Sequence, residues 1–205
     1  LGALRPEKKA RIAQETLEIF APIASRLGVW EFKSELEDLS FKYTEPEEHA
    51  ELEADVQANQ ELRRQTTLEA VDAIRHKLLT LGIDARIEWR PKHLYSIYRK
   101  MVRTSRSIDE IYDLMAIRVI VHSVEECYSA LGAVHSLWIP LNDRIKDYIA
   151  HPKSNNYRSL HTTVYVTGEQ PIEIQIRTWE MHRVNETGIA AHWAYKEGRR
   201  TSAGG

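Results

Sequence analysis

The sequence predicts an α+β fold, in which a mixed β-sheet of about five strands is flanked by helices and preceded by an N-terminal helical segment. Two observations predict it. Apolar residues recur at helical spacing up to Gly82, and beyond it short alternating or β-branched runs interleave with further helical patterns. The chain has 205 residues, enough to bury a full core. The predicted order of the later elements is β-α-α-β-α-loop-β-β-α.

The composition is that of an ordinary globular protein, with 42% hydrophobic and 28% charged residues. A formal net charge of -2 argues against a globally basic nucleic-acid binder. The single cysteine, Cys127, excludes an intramolecular disulfide and a cysteine-rich metal site. No apolar run approaches the roughly 18 residues of a membrane span, and no signal peptide is visible. We therefore predict a cytoplasmic protein with no membrane partner.

The N-terminal segment is predicted to be helical because its apolar residues follow a 3.6-residue period. Pro22 should kink the first helix and Gly28 should end it. A second helix should end at the break over residues 44–46. The long charged helix that follows it should be interrupted near Asn59 and end at Gly82. The predicted helices cover residues 6–27, 30–43 and 47–81.

The rest of the chain alternates between strands and helices. Ile172, Ile174 and Ile176 alternate with polar residues, which indicates a strand with one buried face. Ser107 and Ser123 are each followed three residues later by a glutamate, which is a helix-capping pattern. The predicted strands cover residues 84–90, 116–121, 162–167 and 172–177. The predicted helices cover residues 92–102, 107–114, 123–138 and 179–196. The predicted domains are a helical segment, residues 1–60, a main domain, residues 61–198, and a flexible tail, residues 199–205.

A basic loop precedes the last two strands and is suited to a polyanion. Its central aromatic residue, Tyr157, is suited to stacking on a flat ring. The alternative interpretation is a solvated loop with Tyr157 half-packed against the domain. The basic members of the loop are Arg144, Lys146, Lys153, Arg158 and His161.

A second basic cluster lies earlier in the chain and comprises Arg90, Lys92, Arg99 and Lys100, with Arg118 in the β-branched run. An arginine inside such a run indicates that one side of the strand faces an open polar cleft, and a guanidinium can stack on a base. The two clusters could serve two nucleotides. Solvated helix and loop faces are the alternative interpretation.

Phosphate transfer also needs carboxylates for a metal ion and for the attacking oxygen. We select Asp113, just before one buried strand, and Glu173, on the polar face of another. If the two strands are neighbours, both acids can face one cleft, where they would hold Mg²⁺. Each could instead be an ordinary surface acid. Glycine-rich phosphate loops are absent from the sequence, so side chains must hold the phosphates.

Several long motifs closely resemble the synthetase domain of the RelA/SpoT (Rel) alarmone enzymes. They lie at residues 90–98, 110–118, 156–163, 173–178 and 188–193. The resemblance covers residues 62–198 and implies a fold similar to polymerase-β-type nucleotidyltransferases. It also implies transfer of the pyrophosphate of ATP to the 3′-oxygen of GDP or GTP, giving AMP and ppGpp or pppGpp. The helices before it resemble the end of the hydrolase domain and the linker of long Rel enzymes.

The resemblance assigns the donor side of the site residue by residue. Asp113 would bind Mg²⁺, and Glu173 would orient or deprotonate the 3′-hydroxyl and contact the metal. Adenine would lie between Arg90 and Arg118. The ATP phosphates would be held by Lys92, Ser96 and Lys100.

On the acceptor side, the resemblance implies that Tyr157 stacks on guanine and that His182 reads its edge. Arg144 and Lys146 belong to an R-x-K-D motif associated with a preference for GDP. Asn185 occupies a position where small residues are common in the family. The acceptor phosphates would be held by Lys146, Lys153 and His161, with Asn155 nearby.

Two other functions remain open from the sequence. One is a nucleotidyltransferase of the same fold that releases pyrophosphate, and the other is a non-catalytic module that binds a nucleotide or RNA. The sequence contains no adjacent His-Asp pair, so the hydrolase metal site is not expected in this chain. The resemblance further implies that ribosome and tRNA contacts of the longer parent belong to domains outside this chain.

Overall fold

The computed structural model describes residues 5–58, 60–105, 108, 114–167 and 170–188. Within these ranges the predicted helices over residues 6–27, 30–43 and 47–81 are confirmed. The break predicted near Asn59 lies outside the described residues. The elements of the helical segment are α1 (Pro6–Glu15), a π-helical turn (Thr16–Phe20), α2 (Ala21–Arg26), α3 (Trp30–Thr44), α4 (Pro46–Ala58) and α5 (Gln60–Thr80).

Pro22 changes the hydrogen bonding of the first helix without ending it. A proline has no N–H to donate to the preceding turn. Just upstream the helix widens into the π-helical turn, where the N–H of Ala21 bonds to the carbonyl of Thr16. Gly28 then ends the helix with φ of +75°, a left-handed conformation that glycine adopts without strain.

The second half contains the sheet. Strands are present at all four predicted positions, and a two-residue edge strand lies where only a loop was predicted. Most of the helix predicted over residues 107–114, and the end of the last helix, lie outside the described residues. The elements are β1 (Arg86–Pro91), α6 (Leu94–Thr104), β2 (Met115–Val121), α7 (Val124–Leu137), β3 (Lys146–Asp147), β4 (Leu160–Thr167), β5 (Gln170–Thr178) and α8 (Trp179–Thr187).

The five strands form one mixed sheet in the order β1-β2-β5-β4-β3. β2 and β5 are parallel neighbours, and the other pairs are antiparallel. The capping box before α7 is present, since Ser123 Oγ accepts from the N–H of Glu126 and the Glu126 carboxylate accepts from the N–H of Ser123. The predicted α+β fold with a sheet of about five strands is confirmed.

One face of the sheet forms the main core. Ile117, Val119, Ile174 and Ile176 are completely buried there, and α5 and α7 cover them. Neighbouring positions of the same strands face the opposite side, where the polar residues lie. A smaller cluster centred on Phe41 joins α3, α4 and α6. None of the helices in the described part of the chain is long and apolar enough to cross a membrane.

Candidate active site

The strand register creates a polar band across the whole sheet, on the face opposite the main core. Each residue of the band is the direct cross-strand partner of the next, so neighbouring side chains share one face and lie close together. In strand order the band consists of Glu88, Arg118, Gln175, His161 and Lys146. Three of its members belong to the two basic clusters, which are far apart in the sequence: Arg118 to one, and His161 and Lys146 to the other.

A cleft of about 180 Å³ opens on this band. On one side it is lined by Arg90 and Arg118, from β1 and β2. On the other side lie Lys153, Tyr157 and His161, from the loop before β4 and from β4 itself. The structure therefore brings the two predicted purine-binding groups to opposite walls of one cleft.

Glu173 lies two residues along β5 from Gln175 of the band, on the same face, and its partner on β2 is Ala116. Its carboxylate accepts from Lys92 Nζ at 2.8 Å and from Gln175 Nε2 at 2.7 Å. Burial alone would raise the pKa of Glu173, but Lys92, His161 and these hydrogen bonds outweigh burial and hold the pKa below its ordinary value. The side chain is thus a carboxylate at neutral pH.

Tyr157 is 9% exposed and is surrounded by aromatic and cationic groups. The rings of Trp30 and Tyr148 meet it at steep angles, with centroids 5.9 and 6.0 Å away. Lys153 Nζ lies 4.8 Å and Arg177 Cζ 5.5 Å from its ring centre. With only 9% of Tyr157 exposed, a purine can stack on its ring only after one of these neighbours moves.

A chain of hydrogen bonds joins Arg177, Tyr157 and His161. Arg177 Nη2 donates to the Tyr157 hydroxyl oxygen at 3.2 Å, and that hydroxyl lies 2.7 Å from His161 Nε2. Burial lowers the pKa of His161 to about 4; the cations around it act in the same direction, and the Glu173 carboxylate acts against them. The imidazole is therefore neutral at pH 7, and its Nε2 can accept the hydroxyl hydrogen.

The loop that carries Tyr157 is held at several points. Lys153 donates its N–H to the carbonyl of Tyr157, and Asn155 Oδ1 accepts from the N–H of Tyr157 at 3.3 Å. Asn185 on α8 bonds to both main-chain groups of Arg158, donating to its carbonyl at 2.9 Å and accepting from its N–H at 3.4 Å. The loop conformation therefore depends on α8 as well as on its own turn.

The start of α3 closes one side of the cleft. Trp30, Glu31 and Ser34 line it, and Glu31 forms a 2.7 Å ion pair with Arg90. The turn before α3 is packed tightly against the end of α8, since a Cβ added at Gly188 would overlap the carbonyl oxygen of Leu27. In this arrangement Trp30 lies against the ring of Tyr157.

Comparison with known protein families shows to which family this chain belongs. Residues 89–200, more than half of the chain, match the family model described as a region found in RelA / SpoT proteins. The chain belongs to the RelA/SpoT family.

Curated RelA/SpoT relatives are about half identical to this chain. They include a probable guanosine-3′,5′-bis(diphosphate) 3′-pyrophosphohydrolase of Synechocystis, 53% identical over 96% of this chain and 26% of the relative. A bifunctional (p)ppGpp synthase/hydrolase RelA of Mycobacterium tuberculosis is 49% identical over 96% of this chain and 27% of the relative. A GTP pyrophosphokinase of Myxococcus xanthus is 47% identical over 97% of this chain and 26% of the relative. The chain thus spans about a quarter of the length of these relatives.

A solved structure of the family supports the fold. The small alarmone synthetase 1 of Bacillus subtilis bound to pppGpp is 25% identical and has a TM-score of 0.52, covering 67% of this chain and 81% of that one. The predicted nucleotidyltransferase-like fold is confirmed by this similarity.

Some RelA/SpoT site residues predicted from the sequence lie away from the cleft. Ser96 and Lys100 line a separate cleft of about 630 Å³ between α3 and α6. Arg144 and Lys146 are exposed, although Lys146 ends the polar band. His182 is 7% exposed, and its Nε2 lies 3.4 Å from Glu186, the residue that also pairs with Arg118.

Asp113 lies outside the described residues. Among the residues that are described, no group of three or more His, Cys, Asp or Glu side chains could hold a metal ion. Mg²⁺ usually binds proteins through one or two carboxylates together with substrate phosphates. The Glu173 carboxylate could therefore supply one of its ligands.

His182, like His161, is neutral at pH 7, because burial lowers its pKa.

Sequence reasoning missed several residues that line the cleft. Arg177 and Gln175 share the polar face of β5 with Glu173, and this alternation was a visible signal that could have identified them. Glu31 and Trp30 gave no comparable signal, because their role depends on how α3 packs against the sheet. The missed residues are Trp30, Glu31, Ser34, Gln175, Arg177, Asn185 and Glu186.

Proposed function

We propose that this chain is a (p)ppGpp synthetase domain, which transfers the β,γ-pyrophosphate of ATP to the ribose 3′-oxygen of GDP or GTP. The products are AMP and ppGpp or pppGpp. The observation that carries the proposal is the cleft with Arg90 and Arg118 on one wall and Lys153, Tyr157 and His161 on the other. This arrangement offers two sites for purine nucleotides, with Glu173 two residues along β5 from Gln175 of the polar band and on the same face.

The donor side is assigned to the two arginines and the cations near them. Adenine binds between the guanidinium groups of Arg90 and Arg118, which can stack on a base. Lys92 lies 2.8 Å from Glu173 and holds the phosphate that undergoes transfer. Ser96 and Lys100 bind the more distant phosphate oxygens from the adjoining cleft.

The acceptor side is assigned to the loop before β4. Guanine stacks on Tyr157, and His182 reads its edge from α8. Lys153 binds the acceptor phosphates, together with His161 and the exposed Lys146. Arg144, which shares the R-x-K-D motif with Lys146, accounts for a preference for GDP. Asn155 supports this side through its hydrogen bond to the N–H of Tyr157.

The chemical step follows from these assignments. The 3′-oxygen bonds to the β-phosphorus of ATP, the bond from that phosphorus to the oxygen of the α-phosphate breaks, and AMP leaves. Glu173, a carboxylate at neutral pH, orients the 3′-hydroxyl and takes its proton. Mg²⁺, held by Asp113, Glu173 and donor phosphate oxygens, would supply charge neutralisation of the transferring group.

The purines need more room than the described cleft offers, since ligand sites usually have about 300–1,000 Å³. Trp30 and Glu31 occupy the side where Tyr157 and Arg90 would meet their bases. The proposal therefore requires the start of α3 to move when nucleotides bind. We assign residues 61–198 to the catalytic domain and residues 1–60 to a helical segment that covers part of it, with residues 199–205 as a tail.

Product analysis tests the proposal. The chain is incubated with Mg²⁺, GDP and ATP labelled at the γ-phosphate, and the products are resolved. We expect AMP and labelled ppGpp in equal amounts. Release of labelled pyrophosphate would instead indicate a nucleotidyltransferase of the same fold, and binding without turnover would indicate a non-catalytic module.

A further inference from the structure

Arg177 is a buried cation with no carboxylate partner in the described part of the chain. Its side chain is 2% exposed, on β5, and it lines the cleft. Its contacts are neutral: Nη2 donates to Gln175 Oε1 at 2.6 Å and to the Tyr157 hydroxyl at 3.2 Å. Its Nε is buried and has no hydrogen-bond partner.

The acids nearest to the cleft are already paired with other cations. Glu173 bonds to Lys92, Glu31 to Arg90, and Glu186 to Arg118. Burial lowers the pKa of Arg177, and the nearby Arg118 and Arg90 act in the same direction, whereas Tyr157 and Glu186 act against them. An arginine nevertheless keeps its proton in proteins, so the positive charge remains.

A buried charge without an opposite charge is unfavourable, and proteins normally pair it or use it to bind a ligand. The Tyr157 and Gln175 oxygens satisfy part of the guanidinium, but they bring no negative charge. A guanidinium matches the oxygens of a phosphate in shape and charge. The missing partner is therefore an anion that enters the cleft.

We propose that Arg177 binds a phosphate group of the acceptor guanosine nucleotide. The acceptor is favoured over ATP because Arg177 contacts Tyr157, on the acceptor wall, through both a hydrogen bond and its ring. The inference rests on the proposed function, to which it adds a phosphate-binding residue that the sequence did not suggest.

The test measures binding by calorimetry, without turnover, for guanosine and for GDP. Arg177→Met removes the charge and the donors while keeping a long side chain. We expect GDP affinity to fall by about tenfold or more, as for loss of a charge-assisted hydrogen bond, while guanosine affinity stays within about twofold. Arg183→Met, an exposed arginine of α8, is the matched control and should change neither affinity.

Equal weakening of guanosine and GDP would overturn the inference, because Arg177 would then support the base or the Tyr157 ring. Unchanged GDP affinity would also overturn it. Arg177→Lys, which keeps the charge, should retain part of the preference for GDP over guanosine. Because an unpaired buried charge is removed, Arg177→Met should melt no lower than the wild type without ligand. If both variants fail to fold, the guanidinium hydrogen bonds to Gln175 and Tyr157 are needed for folding, and this structural role contradicts the proposal.

The two proposals fail in different ways. If the wild type binds GDP but makes no ppGpp, the proposed function fails and the role of Arg177 can still be measured. If the wild type makes ppGpp but Arg177→Met weakens GDP and guanosine equally, only the inference about Arg177 fails. A wild type that binds neither guanosine nor GDP contradicts both.

Discussion

Removing the Trp30 side chain should strengthen GDP binding. The Trp30 ring contacts the Tyr157 ring with centroids 5.9 Å apart, and Lys153 Nζ lies 5.8 Å from the Trp30 ring centre. Under the proposed function, guanine needs the same Tyr157 ring. Trp30→Ala therefore removes a competitor from the acceptor wall.

The size of the effect follows from the two contacts that GDP must break. An aromatic pair contributes about 0.5–1.5 kcal/mol, and a cation–π contact at a partly exposed site about 0.5–1 kcal/mol. Breaking both costs about 1–2.5 kcal/mol, so their removal should tighten GDP binding by about five- to seventyfold. ATP affinity should change less, because Trp30 has no ring contact with Arg90 or Arg118 in the described structure.

Calorimetric titration with GDP measures this effect, and the melting temperature of each variant shows whether α3 stays folded. Phe32→Ala is the matched control, because Phe32 lies on the same helix and is 54% exposed. We expect Phe32→Ala to leave GDP affinity unchanged. GDP affinity that falls or stays constant in Trp30→Ala would refute the reasoning, since Trp30 would then be part of the nucleotide site.

Three further predictions follow. Asn185→Ala removes both hydrogen bonds to the Arg158 main chain and should raise the KM for GDP by about tenfold while leaving the KM for ATP unchanged. Thr187→Ala, at an exposed position of α8, is the control. An equal rise of both KM values in Asn185→Ala would contradict a role for Asn185 in holding the acceptor loop. His161 is neutral in the folded chain, with a pKa of about 4 against an ordinary 6.5, so stability should be complete above pH 6.5 and fall by up to about 3 kcal/mol towards pH 4. Denaturant titrations between pH 6.5 and pH 4 should show a smaller loss of stability in His161→Gln than in the wild type. The same loss in both proteins would contradict the assignment of this pH dependence to His161. Burial raises the pKa of the Cys127 thiol to about 12, so iodoacetamide at pH 8 should label it only in denaturant; labelling of the folded chain would show that the thiol is accessible.

Local patterns were sufficient to predict most of the elements. The alternation of isoleucine with polar residues identified β5 and placed Glu173 on its polar face, and Ser123 with Glu126 marked the start of α7. Such signals depend on neighbours within a few residues in the sequence. These patterns were therefore sufficient to predict the strands and their polar faces, including the open side of β2 that Arg118 indicated.

The site depends on pairings between distant parts of the chain, which the sequence does not display. The register that aligns Arg118 with Gln175, and Gln175 with His161, follows from how three strands pair. β3 is only two residues long, too short for alternation to be visible. The ion pair between Glu31 and Arg90 spans 59 residues and required α3 to be packed against the sheet.

The central claim is that Glu173 serves pyrophosphate transfer beside the cleft on the polar band. Its most direct test compares the rate of ppGpp formation from ATP, GDP and Mg²⁺ in the wild type, in Glu173→Gln and in Glu180→Gln, an exposed glutamate of α8. We predict that Glu173→Gln loses at least about a hundredfold in rate, as expected for a general base, while it binds both nucleotides and Glu180→Gln behaves as the wild type. Wild-type rates in Glu173→Gln, with the same products, would contradict the account.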